Sequence, residues 1–182
     1  MLWKLRLLWY RADKGALAFA FFFSLVVGAL VFAMNLVFGH RDAEHARVRD
    51  FHARSLDCLA RNVYYEARGE SSAGQYAVAE VTINRKASRH YPNTVCEVVY
   101  QKNWDPSRKR HVGAFSWTEF DVLDEPTGVA WQRAILVAED VYYQRRPPAL
   151  RGVLHFHASY VRPEWSKERQ RVARIGKHVF YR

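Results

Sequence analysis

Glu66 is the residue of this 182-residue chain whose type and setting first suggest chemistry. It lies in YYEARGESSAGQ (64–75), directly after LDCLARNV, where Leu56, Leu59, Val63 and Ala67 fall near one face of a helix. Glu66 is i+7 from Leu59, i+4 from Asn62 and i+3 from Val63, so it continues that apolar stripe and points toward the body of the protein. A partly buried carboxyl without a dedicated cation has a raised pKa, stays protonated near neutral pH and can serve as a general acid. The competing reading is an ion pair with Arg68, or another arginine, at the end of an ordinary helix. Glu70 lies beyond the Gly69 break and reads as a partner for the next helix or a clamp on loop backbone.

The histidines come next. In VLHFH (153–157), His155 and His157 alternate with Leu154 and Phe156 and share one side of a strand. They could hydrogen-bond a substrate or Glu66, act structurally, or bind zinc with His178 as a third ligand; HxH alone is a weak metal signal, and no metal or other cofactor is expected. His40, His45 and His52 are irregularly spaced on a polar stretch and suggest no site.

The elements that must position these groups read as an α+β domain, helices first and sheet last. One helix runs from Leu56 to Gly69. A second, capped by Ser71 or Ser72, extends to about Lys86 and is carried by Ala77, Val78, Val81 and Ile83. TVCEVVYQ (94–101) is a short helix or strand, and Lys102 to Glu125 is a long irregular segment of the kind that is a functional loop or disordered. A third helix runs from Thr127 to about Gln144 and is ended by Pro147 and Pro148. VLHFH and VARIGKHVFY (172–181) form a small antiparallel hairpin or sheet. Residues 40–55 (HRDAEHARVRDFHARS) are a charged stalk, and the domain occupies 56–182.

Gly15 to Gly39 holds 25 consecutive uncharged, mostly large apolar residues, enough for a helix of about 37 Å across a hydrocarbon core of about 30 Å. The run is longer than a signal-peptide core and lacks a small-x-small cleavage site, which favours an uncleaved anchor over a cleaved signal or a buried helix. Lys4, Arg6, Arg11 and Lys14 in segment 1–14 place the N-terminus in the cytoplasm and the rest beyond the inner membrane, in the periplasm. In that oxidising compartment Cys58 and Cys96 read as a disulfide rather than a redox or metal pair, with two buried thiols as the other reading. The chain carries 28 Lys and Arg against 18 Asp and Glu, a net +10. Outside the membrane such a surface suits lipid headgroups or a carboxylate-rich wall polymer, not nucleic acid.

Five separated motifs then agree in collinear order: CLARNVYYEARGESSAGQYAVAEVTINR (58–85), VCEVVYQ, FSW, LHFHASYVRPEW and ARIGKHVFY. Over residues 56–182 the chain resembles the SleB-type cell wall hydrolase family, named for spore-cortex-lytic enzymes. The resemblance implies a fold related to lytic transglycosylases, peptidoglycan as substrate and partner, and the first Glu of EARGE, here Glu66, as the single catalytic acid. Phe115, Ser116 and Trp117 match the family's FSW element and Tyr160 lies in its C-terminal region, so these four, with His155 and His157 from the strand, are the expected substrate-binding residues. The family's FSW commonly follows a Gln, whereas this chain has Ala114, so any contact of that Gln is in doubt. Trp117 and Trp104 could stack on sugar rings or cover the core. Arg162 could pair with a peptide-stem carboxylate or with Glu164 or Glu168, and Arg108, Lys109, Arg110 and His111 form a solvated basic loop. A zinc-dependent amidase cutting the muramoyl–alanine bond and a non-catalytic wall-binding module are the alternatives.

Overall fold

The computed structural model describes residues 14–106, 108–120 and 123–182. Helix α1 (Lys14–Ala67) begins with the apolar run, all of it exposed, and ends with the segment that carries Glu66. It is long and apolar enough to cross a membrane by length and composition. Segment 1–13, with most of the expected cytoplasmic bases, lies outside the described residues. The chain forms two compact units, Met1–Asp50 and Phe51–Arg182, and all further elements belong to the second.

In that second unit, Leu59, Ala60 and Val63 of α1 are buried among residues of the helices that follow. Helix α2 (Ser72–Ala87) starts where the Ser71 hydroxyl accepts from Gly74 N. Ala77, Val78, Val81 and Arg85 make its buried stripe. The segment left open between helix and strand is a helix, α3 (Val95–Val99), because Thr94 and Glu97 form a capping box: Thr94 Oγ1 accepts from Glu97 N and donates to its carboxylate. Helix α4 (Gly128–Tyr142) buries Ala134, Val137, Ala138 and Val141, a 3–4 spacing, and Tyr76 of α2 donates to Asp140 of α4 at 2.6 Å. It stops at Tyr142, two residues before the expected end, with Gln144 in the left-handed region (φ 53°).

Lys102 to Glu125 departs from the expected irregular loop. Strands β1 (Lys102–Asp105) and β2 (Arg110–Gly113) form an antiparallel hairpin, followed by a 3₁₀ turn at Ser116–Glu119. Both strands are mostly exposed, so neither carries the buried-face alternation by which a strand is read from sequence. Glu119 holds the turn against the hairpin, accepting from Arg110 at 2.7 Å and from Gly113 N at 2.9 Å.

The C-terminal part is the expected antiparallel sheet: β3 (His155–Ala158), β4 (Arg171–Ile175) and β5 (His178–Tyr181) in the order β3–β5–β4, with a bulge between Arg171 and Ala173. Central β5 is buried along its whole length. The sheet packs on α2 through Phe180, Val153, Leu150, Ala77 and Val81.

Candidate active site

Two polar side chains deep in the core fix the end of α1. Asn62, fully buried, donates to Thr82 Oγ1 of α2 at 3.0 Å and accepts from Trp117 Nε1 at 2.9 Å. One turn later Glu66 emerges into a cavity of about 410 Å³, lined also by Tyr65, Arg85, Ser116, His157, Tyr160 and His178. Among its described lining residues Glu66 is the single acid.

Burial pushes the Glu66 carboxyl above its usual pKa range, opposed by the Arg85 charge and by Ser116, which donates to the carboxyl through both its backbone N–H and its hydroxyl. Burial likewise disfavours the Arg85 cation, which Tyr91 and Glu66 support, but a guanidinium stays protonated at neutral pH. Arg85 Nε donates to Leu154 O at 2.8 Å, and its plane lies over the Tyr91 and Phe115 rings. Glu66 is therefore a carboxyl inclined to hold its proton, beside donors ready to stabilise the anion once that proton leaves. Of the arginines in the competing reading, Arg68 donates instead to the Tyr64 hydroxyl at 3.2 Å, and it is the Arg85 charge that acts on Glu66.

Other expected site residues fall in different places. Ser116 meets Glu66, and Tyr160 stands at the cavity, 84% exposed. Phe115 lines the cavity from a nearly buried position. Trp117 does not offer a ring to a sugar: it is 7% exposed, stacked on Tyr65 and bonded to Asn62, so it belongs to the core. Trp104 is exposed and packs edge to face on His111 across the hairpin.

His155 and His157 both contact Trp165, as same-side residues should, yet they serve different cavities. His157 lines the Glu66 cavity with both nitrogens engaged, one with Ala158 O and one with the Tyr181 hydroxyl, each at 2.9 Å. His155 lines the neighbouring cavity, and burial, with the Arg169 and Arg85 charges, pulls its pKa down to about 4. His178 packs edge to face against Phe156, on the other side of β3 from Trp165. The three imidazoles do not converge, and among the described residues no group of three or more His, Cys, Asp or Glu is disposed to hold a metal ion.

Glu70 is a backbone clamp. Its Oε2 accepts from Lys177 N at 3.0 Å at the β4–β5 turn, where Gly176 has φ 56°. Cys58 and Cys96 form a disulfide with Cα atoms 5.3 Å apart, tying α1 to α3 two turns before Glu66.

Arg85 and Tyr65 were missed as site residues. Arg85 carried a readable signal, because it lies i+4 from Val81 and i+7 from Val78 and so continues a buried stripe as Glu66 does. Tyr65 carried none: it reaches the cavity by stacking on Trp117, 52 positions away along the chain.

Residues 69–181 match the Cell Wall Hydrolase family, a span that starts just after Glu66. The spore cortex-lytic enzyme of Bacillus subtilis (strain 168) is 28% identical over 130 residues, 71% of this chain and 38% of that protein. The spore cortex-lytic enzyme of Oceanobacillus iheyensis is 30% identical over 126 residues, 69% of this chain and 40% of that protein. The chain thus spans well under half the length of these curated relatives. Among solved structures, the catalytic domain of the germination-specific lytic transglycosylase SleB from Bacillus anthracis superposes with a TM-score of 0.50 at 27% identity, covering 70% of this chain and 93% of that one. With the family match spanning more than half of its residues, this chain belongs to the Cell Wall Hydrolase family.

Proposed function

We propose that this protein cleaves the glycosidic bond between N-acetylmuramic acid and N-acetylglucosamine in peptidoglycan, with Glu66 as the single catalytic acid and base. The observation that carries the reading is a buried carboxyl, its pKa raised by burial, in a cleft whose described lining holds no second acid to make the usual pair of carboxylates. Glu66 gives its proton to the bridging oxygen as the bond from that oxygen to the muramoyl C1 breaks, and N-acetylglucosamine leaves with a free 4-hydroxyl. Arg85 and the Ser116 donors then face a carboxylate, which balances the positive charge developing at C1. The muramoyl 6-hydroxyl attacks C1 and surrenders its proton to Glu66, restoring the acid and leaving a 1,6-anhydromuramoyl end without consuming water. The name of the Bacillus anthracis neighbour, a lytic transglycosylase, supports this ring-closing outcome over capture by water.

The apolar run of α1, preceded by basic residues, supports a single-pass inner-membrane anchor with the catalytic unit in the periplasm. Peptidoglycan and the membrane are then its partners.

Digestion of purified sacculi by the detergent-solubilised full chain tests the reading. Release of anhydromuropeptides is expected, with Glu66→Gln losing at least about a thousandfold in rate and a chelator having no effect. Full activity in Glu66→Gln would overturn it.

A further inference from the structure

The Glu66 cavity meets a larger one, of about 570 Å³, at Arg85 and Ala114, which line both. None of the described residues lining the larger cavity is acidic, while Arg85, Arg169, His90 and His155 are bases. Arg85 is only 8% exposed, and a buried guanidinium is unfavourable unless an anion faces it. The partners of Arg85 in the protein are Leu154 O, Tyr91 and the Glu66 carboxyl, and the last is a full anion only once its proton has left, so the wall has room for an anion from a ligand. Gln101 stands in the same wall, and its buried Oε1 has no hydrogen-bond partner, so a ligand N–H is the donor it lacks once the side chain turns toward the cavity. A ligand bearing a carboxylate, and an amide near it, answers both.

Of the two sugars in the glycan, only the muramoyl residue carries such a group, as the lactyl ether on O3. That ether ends in its own carboxylate or in an amide-linked peptide with carboxylates further along. We propose that the larger cavity receives this 3-O-lactyl substituent and that Arg85 and Arg169 hold a carboxylate borne on it, selecting which sugar sits on each side of Glu66. The inference rests on the glycan-cleaving reading of Glu66. His155, neutral at physiological pH, offers a hydrogen bond there rather than a charge. Arg162, which the sequence suggested for a stem carboxylate, is exposed and lines neither cavity.

Arg169 is exposed and lies outside the catalytic cavity, so it can be changed without disturbing the core. Arg169→Gln and Arg169→Lys, in the full chain in detergent, are compared with the parent on three substrates. These are intact sacculi, strands stripped of stems by an amidase so that the lactyl carboxylate is free, and stripped strands with carboxylates converted to methylamides. Arg169→Gln should raise KM about fivefold on the carboxylate-bearing substrates with little change in kcat, and not at all on methylamide strands. Arg169→Lys should recover part of that loss. An Arg169 effect on stripped strands identifies the lactyl carboxylate, and one confined to intact sacculi identifies a stem carboxylate. An unchanged KM in Arg169→Gln, or an equal rise on all three substrates, would sink the proposal.

Calorimetric binding of a soluble disaccharide-peptide and its methylamide separates this from the underlying reading. If glycan cleavage is wrong and the pocket right, no glycan is cut but Arg169-dependent binding of the carboxylate form persists. If the pocket is wrong and cleavage right, glycan is cut and binding ignores both Arg169 and methylamidation.

Discussion

On the proposed mechanism, protonation of Glu66 acts on stability and catalysis in the same direction. Its pKa in the folded chain lies above the unfolded value, so folded protein binds the extra proton between the two, and stability declines as pH rises through that window. The general-acid form is lost at the upper edge of the same window. The alkaline limb of kcat/KM should therefore lie above the ordinary carboxylate range of about 4.3, and the melting temperature of Glu66→Gln should gain on the parent as pH rises through that limb. A limb at the ordinary position, or a melting difference flat with pH, would contradict this. His155 runs the other way: its folded pKa of about 4 lies below the unfolded value of about 6.5, so its contribution is present above that value and lost as pH falls toward about 4. His155→Gln should lose less melting temperature than the parent between pH 7 and pH 4; an equal loss would remove His155 from the acid response.

Elements position these residues through contacts of very different sequence range. Glu66 could be read from the sequence because helical periodicity is local and Leu59, Val63 and Glu66 state it within eight residues. Ser116 could be placed only by resemblance, since its approach to Glu66 depends on a hairpin whose exposed strands carry no alternating signature and on Glu119 holding the following turn. Trp117 was open to two readings for a similar reason: what buries it is Asn62, 55 positions earlier. Glu70 shows the same long reach, crossing 107 positions to hold the β4–β5 turn directly before His178 of the cavity wall. A Cβ at Gly176 would run into the Glu70 carboxylate and would hold a side chain at positive φ. Gly176→Ala should cost about 1–3 kcal/mol in urea unfolding, and a neutral result would show that the turn adjusts freely.

For the whole molecule, the bond between Cys58 and Cys96 closes a span of 38 residues that contains all of α2. Opening it should destabilise the folded unit by roughly 3–4 kcal/mol and lower its melting temperature by about 10 °C or more. Thermal melts of a Cys58→Ser, Cys96→Ser double variant check this, and an unchanged melt would deny the cross-link a stabilising part. Glu66, the single acid among the described lining residues of the cleft, carries its own expected outcome for the polymer. On the ring-closing mechanism proposed for Glu66, the carboxyl recovers its proton from the sugar's own 6-hydroxyl and leaves each cut end as a closed acetal with no free aldehyde. Sacculi would then clear in suspension while an aldehyde-detecting sugar stain stayed blank, so the cuts would be counted by mass or turbidity and missed by reducing power.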